Sequence, residues 1–427
     1  MIPLSSFRAA ACNVAVRVSF ALIFASAISP VRAADPLTLD EALRLSQERS
    51  RQLPAQEAAA RSAREMAVAA GQRPDPVLTA SLNDFPVSRP NAFSFTRDAF
   101  TMRQIGVTQE LTRGSKLEAR SARLGREAEV ASAGRGVVLA NLQRDTAIAW
   151  LDRYYQERMR DVLVSQRDEA RLQIDAADAA YRGGRGSQSD VFAARSAVAS
   201  IEDRIDQSER QIATAKTQLA RWIGPPSSEP LAAVPALATV DFQPDDLDVL
   251  LAHHPELAVL QKMEDLAQAD VDVARTDQKP DVSVGLMYSQ SGPAYSNYVS
   301  VTLSMPLQWD QSNRQDRAVS AKLATLEQRR AEREEAGRMH VAEDLAMWQE
   351  WQSNRSRLDR YDNSLVPLAT ERMRAAVAAY RGASASLGAV LESRRAEIDT
   401  RLERLRLEME TARLWAKLNY LVPRGTP

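Results

Sequence analysis

The stretch Tyr181-Arg182-Gly183-Gly184-Arg185-Gly186-Ser187-Gln188-Ser189-Asp190-Val191 has a counterpart 199 residues further on, Tyr380-Arg381-Gly382-Ala383-Ser384-Ala385-Ser386-Leu387-Gly388-Ala389-Val390. At the same offset Phe192 matches Leu391 and Arg195 matches Arg394. Each stretch is a Gly/Ser-rich break between long segments rich in Ala, Arg, Glu and Leu, which is how a tight turn between two helices reads. A second pair of markers, Pro74-Asp75-Pro76-Val77 and Lys279-Pro280-Asp281-Val282, follows an Ala-rich stretch and precedes an alternating one in both halves. The chain therefore contains one structural unit used twice.

The first repeat is assigned to residues 34–224 and the second to 244–422, with a Pro/Ala-rich linker over 225–243 and a short tail over 423–427. Within each unit the expected order is helix, strand, strand, long helix, turn, helix. In the first, Leu39 to Gln72 reads as a helix, 77–83 and 100–111 as strands and 115–181 as the long helix. In the second, strands fall at 281–290 and 298–307 and the long helix at 312–380, with a kink at Pro367. Each long helix would measure about 100 Å. After each turn, Gln188 to Trp222 and Ser386 to Leu421 are about half as long, so that two short helices laid end to end match one long one. Val191, Val198, Ile205, Ile212 and Leu219 recur every seven residues, as do Leu391, Ile398, Leu405 and Ala412, which predicts helix pairs wound as coiled coils.

Val299, Val301, Leu303, Met305 and Leu307 alternate with Ser300, Thr302 and Ser304. A strand with one wholly apolar face and one small polar face suits a transmembrane barrel with lipid outside and water inside, so Val299, Val301, Leu303 and Met305 are assigned to lipid. A soluble hairpin on a core would show the same alternation, but no further domain remains to supply that core. Four strands cannot close a barrel, since small barrels need about eight strands and open edges are not tolerated in lipid. The chain must then associate with copies of itself.

Composition narrows the function. Charged residues make up 26% of the 427 residues and nearly cancel, leaving a formal net charge of -1, so no basic field exists to hold nucleic acid. Residues 1–33 read as a secretory signal peptide: Arg8 and Arg17 precede or flank the apolar run Val18 to Ile28, and Val31-Arg32-Ala33 supplies small residues for cleavage ahead of Ala34. A lipoprotein would be cleaved before the single cysteine, Cys12, but the apolar run follows that cysteine, so the chain is read as not lipidated. A lone cysteine excludes an intramolecular disulfide. No nucleophile elbow, phosphate loop or His/Cys cluster is present, and the carboxylates are interspersed with arginines along helices as on a solvated face. No enzyme is expected, and no cofactor or metal site. His253-His254 are read as solvated at a helix start before Pro255, and His340 as standing alone.

With the duplicated order and the paired turns in place, the whole mature chain resembles the TolC family of outer-membrane efflux proteins. The resemblance implies a mainly α fold with a β-barrel part: a homotrimer with a 12-stranded barrel in the outer membrane, continuous with a 12-helix coiled-coil tunnel across the periplasm. It implies a passive conduit, with a periplasmic adaptor and an inner-membrane pump of the resistance-nodulation-division type meeting the closed end at the helical turns. By that analogy Arg182, Gly183, Gly184, Arg185, Asp190, Val191, Arg381, Gly382, Leu387 and Val390 form the tip that docks the adaptor or gates the tunnel. Ala389 stands where the first turn has Asp190, which argues against a symmetric ring of charges. The segment from Asn83 to Val87, with Asn91 to Ser94 and Thr101 to Val107, resembles members serving heavy-metal cation exporters. Drug efflux and type I protein secretion by the same fold are the alternatives, followed by a periplasmic coiled-coil adaptor without a pore. An adaptor would carry one helical hairpin flanked by soluble β domains.

Overall fold

A computed structural model of the chain describes residues 36–240, 244 and 251–425. The expected signal peptide over 1–33, with Cys12, lies outside the described residues, as do 241–243 of the linker and 426–427 of the tail. In chain order the elements are α1 (Leu39–Arg49), α2 (Gln52–Ala70), β1 (Val77–Asn83), β2 (Met102–Leu111), α3 (Gly114–Arg182) and α4 (Gln188–Ile223). They continue with α5 (Pro255–Thr276), β3 (Val282–Gln290), β4 (Tyr298–Ser304), α6 (Gln315–Arg360), α7 (Val366–Arg381) and α8 (Leu387–Asn419).

Three elements depart from the sequence expectation. The helix expected from Leu39 to Gln72 is two, α1 and α2, parted at Ser50 and Arg51. Pro54 is the cause: its ring would crowd the carbonyl of Ser50, so the helix restarts with the proline in its first turn, where a missing N–H costs nothing. The expected kink at Pro367 is a π turn over Tyr361–Leu365 between α6 and α7. One extra residue in that turn frees the carbonyl that Pro367 cannot satisfy. The last strand ends at Ser304, ahead of the expected 307, because Pro306 removes a ladder donor.

The two short helices of the first unit do lie end to end. Arg49 at the end of α1 packs so closely on Gly224 at the end of α4 that a Cβ there would come within 2.8 Å of its guanidinium, and Gly224 has φ +78. The 11 residues of α1, 19 of α2 and 36 of α4 thus run beside the 69 of α3, about 100 Å of rod. The α4 seam Val191, Val198, Ile205, Ile212 and Leu219 is buried throughout, as are Ile398, Leu405 and Ala412 on α8.

The main core lies midway along the rods, around Trp150, Leu151, Tyr155, Leu219 and Trp415. The segment after α4, expected as a linker, is a strap fixed to that core. Leu37 bridges Leu231 in parallel, and its N–H donates to the Pro230 carbonyl at 2.8 Å. Arg153, 2% exposed, donates to the carbonyls of Ser227 and Glu229, both at 2.6 Å, while the Trp415 indole donates to Thr239 at 2.8 Å. Buried donors find their acceptors in the strap, which explains why an Ala/Pro-rich stretch holds one path.

Candidate functional site

Two surfaces stand at opposite ends of the rods: the four-stranded sheet and the pair of helical turns. The sheet is antiparallel in the order β1-β2-β3-β4, so β1 and β4 are its edges. Its register sorts the side chains by face. Leu78, Val107, Leu286 and Val301 form one cross-strand row, and Ala80, Ile105, Tyr288 and Val299 the next but one on the same face. Between them, on the opposite face, lie Thr79, Gly106, Met287 and Ser300, flanked by the rows Ser81-Gln104-Ser289-Tyr298 and Val77-Thr108-Gly285-Thr302. The apolar face is bare: Val299 is 69% exposed, Val301 74% and Leu303 71%. Met305, also exposed, lies one residue beyond β4. Gly106 is required by close packing, since a Cβ there would meet the Leu286 carbonyl at 2.9 Å. A bare apolar face on a sheet with two open edges is unstable in water and calls for a covering layer and for further strands. No helix among the described residues is long and apolar enough to cross a membrane.

At the other end the two turns share one backbone path. Gly183 N–H donates to Ala179, and Gly184 N–H to Tyr181, both at 3.0 Å; Gly382 and Ala383 repeat this with Ala378 and Tyr380 at 3.0 Å. The residue in the left-handed region is Gly184 in the first turn (φ +68) and Ala383 in the second (φ +56). Ser187 caps α4 in a reciprocal box: its hydroxyl accepts from Asp190 N–H, and the Asp190 carboxylate accepts from Ser187 N–H at 2.9 Å. These hydrogen bonds, from the Ser187 backbone first and its hydroxyl second, hold the Asp190 carboxyl below the usual carboxylate range. In the second turn Ser386 caps α8 through Ala389 N–H, with no acidic return bond.

The residues expected at the tip fall into two groups. Val191, Leu387 and Val390 are buried together with Ala177 and Ala194, packing the two turns against each other. Arg182, Arg185 and Arg381 are exposed, and Arg182 pairs with Asp178 at 2.5 Å. Asp190, expected as a contact or gate charge, is engaged in its own helix cap.

Sequence reasoning missed Arg394. It is 6% exposed, and its Nη1 donates to Gln166 Oε1 at 3.0 Å and to Glu169 Oε2 at 2.8 Å. Gln173, with its amide oriented to accept, receives Nε at 2.6 Å and Nη2 at 3.0 Å. This clasp ties α8 to α3 just behind the tip. The signal was present in the sequence: Arg394 has Val390 one turn before it and Ile398 one turn after it, both on the buried stripe.

The two histidines also correct the sequence reading. His253 is exposed, but His254 is buried and its ring centroid lies 4.1 Å from that of His340, so neither of these two is solvated or alone. The α5 and α6 helices are brought together only by the tertiary fold. Among the described residues no group of three or more His, Cys, Asp or Glu side chains is placed to hold a metal ion.

Long paired helices joined to an open amphipathic sheet are a fold shared with solved outer-membrane channels. The outer-membrane channel OprN superposes with a TM-score of 0.76 at 17% identity, covering 91% of this chain and 90% of that one. VceC from the bacterial pathogen Vibrio cholerae superposes at 0.72 and 16% identity, covering 90% and 95%, and CusC at 0.75 and 14%, covering 89% and 92%. At these identities the likeness establishes the fold. The sequence adds that residues 247–422 match the family described as outer membrane efflux protein. No curated protein matches the chain. What it is similar to is a family of efflux proteins and a set of outer-membrane channels, not enzymes.

Proposed function

We propose that the chain is the outer-membrane channel of a tripartite efflux system. Three copies pair β4 of one with β1 of the next, closing a 12-stranded barrel whose apolar face meets lipid, above a 12-helix tunnel across the periplasm. The observation that carries this is the sheet: four strands, both edges open, one face with uncovered apolar rows across its middle and with Arg103, Gln290 and Gln109 in the outer rows. The exposed Arg182, Arg185 and Arg381 around the turns form the surface that a periplasmic adaptor contacts, beneath which an inner-membrane pump of the resistance-nodulation-division type loads the conduit. Heavy-metal cations are the proposed cargo, on the resemblance of the loop and strand sequence between Asn83 and Val107. Specificity then resides chiefly in the pump, since a conduit has no need to bind its cargo tightly.

Membrane fractionation followed by cross-linking and mass determination in detergent tests the channel. A heat-sensitive trimer in the outer-membrane fraction is the expected result, and a soluble periplasmic monomer or dimer sinks the barrel. Two lysine substitutions refine the test: Val301→Lys should cost about 2–4 kcal/mol of barrel stability, and Thr302→Lys far less, because only the first faces lipid. Survival of a deletion strain on heavy-metal salts, compared with drug challenge, tests the cargo.

A further inference from the structure

The two long helices begin alike. Arg113 precedes α3 and Lys116 lies in its first turn; 201 residues further on, Arg314 precedes α6 and Arg317 lies in its first turn. The segments that close α2 and α5 also match, at an offset of 206: Ala70 and Thr276 end the two helices, and Arg73-Pro74-Asp75 repeats as Lys279-Pro280-Asp281. Within the chain, the start of α3 meets the end of α5 through a dense set of polar contacts. Arg113 Nη2 donates to the carbonyls of Thr276 at 2.8 Å and of Lys279 at 2.6 Å. Lys116, 9% exposed, lies 2.7 Å from Asp281 Oδ2 and 2.8 Å from Asp277 Oδ1. These contacts fix the end of β2 to the start of β3, where Leu111 pairs with Val282 and the sheet gives way to the rods.

The matching groups are open. Arg314, Arg317 and Asp75 are exposed, and their side chains form no hydrogen bond or ion pair among the described residues. They cannot meet within one chain, because Asp75 precedes β1 and Arg314 follows β4, the opposite edges of the sheet. The helices are unequally covered too. Whereas α3 has α2 on one flank and α5 on the other, α6 at this end has α5 alone, and on that side Gln278 donates to Asp316 at 2.9 Å. The acid beside Arg317 is therefore taken. A ring of copies sets β4 beside the next copy's β1 as β2 lies beside β3, and α6 beside the next copy's α2 as α3 lies beside α5.

We propose that Arg314 and Arg317 bind Asp75 of a second copy of this chain, repeating across the subunit boundary the bridge that Arg113 and Lys116 make to Asp281 within it. The inference rests on the trimeric channel reading and adds to it the residues that lock each junction of sheet and rods. Two differences set its strength. Gly71 stands where α5 is followed by Asp277, so the bridge between copies has one acid instead of two. Pro76 sets Asp75 one residue further from its strand than Asp281. The planar guanidinium of Arg317 can span that gap and hold the carboxylate bidentately, where Lys116 offers a point charge. Arg73 and Lys279 occupy the same place, so the flanking cation is common to both seams.

Two measurements on the full-length protein in detergent test it. With Asp75→Cys and Arg317→Cys in one chain, a short bismaleimide should join copies into covalent dimers and trimers, while either single variant gives none. Trimers captured by an amine-reactive cross-linker but not through the paired cysteines overturn the bridge and leave the channel reading standing; no trimer with either reagent overturns both. In the second measurement, Asp75→Arg should speed trimer dissociation about tenfold, since an exposed bridge is worth about two- to fivefold and three act together. Adding Arg314→Asp and Arg317→Asp should restore the slow rate, because the charges are then reversed on both sides. Dissociation that stays as fast as in Asp75→Arg alone overturns the bridge. All three side chains are exposed in the single chain, so none of the variants disturbs its core.

Discussion

The two helical turns follow the same backbone path and are secured in different ways. In the first, Gly184 takes the left-handed position without strain, Ser187 and Asp190 cap α4 reciprocally, and Arg195 points to solvent. In the second, Ala383 occupies the left-handed position, α8 has half a cap, and Arg394, the partner of Arg195 in the repeat, is buried in a clasp with Gln166, Glu169 and Gln173. The apolar contacts are the conserved part of the pair within this chain: Val191 and Val390 meet in one small cluster. Duplication thus fixes the geometry of a turn. What stabilises each copy has moved from a local cap to a long-range polar tie.

The largest asymmetry should appear at the arginines. Arg394→Met removes the donor from three acceptors, of which Gln166 is buried, and should cost about 2–4 kcal/mol. Arg195→Met should change stability by no more than about 0.5 kcal/mol, as expected for an exposed position. Thermal unfolding of the two variants in detergent compares them directly, and equal shifts would refute the clasp.

The caps come next. Asp190→Ala should weaken the start of α4 by about 1 kcal/mol, and Ala389→Asp should strengthen the start of α8 by a similar or smaller amount. Because the Asp190 carboxyl is held below its ordinary value of 3.8, its contribution is complete above that pH and is lost as pH falls through the lower folded value. Local hydrogen exchange near residues 190–194 reads this, and an acid response unchanged in Asp190→Ala would remove the cap from the account.

The smallest effect belongs to the left-handed residues. Ala383→Gly should relieve about 0.5–1 kcal/mol of backbone strain, whereas Gly184→Ala should introduce as much. Opposite shifts in the unfolding midpoint are expected; two shifts of the same sign would mean that the turns are not equivalent in backbone energy.

Local chemistry and periodicity made most of the architecture readable from the sequence. Seven-residue spacing named the buried seam of α4, alternation placed Val299, Val301 and Leu303 on one face, and the recurrence of Tyr-Arg-Gly marked both turns. Pro367 was legible as a breaker while Pro54 was read through as helix, and whether a proline yields a break or a π turn depends on what the neighbouring helix can accommodate. The sequence by itself determined the repeat, the rods and the two-faced strands, because those follow from patterns only a few residues long. Tertiary structure alone decided that Arg394 is clasped while Arg195 is free of that burden, that Asp190 serves its own helix, that the strap runs along Arg153, and that His254 stacks on His340. Each of these depends on residues tens to hundreds of positions apart meeting at a distance of about 3–4 Å, and no local pattern encodes such a meeting.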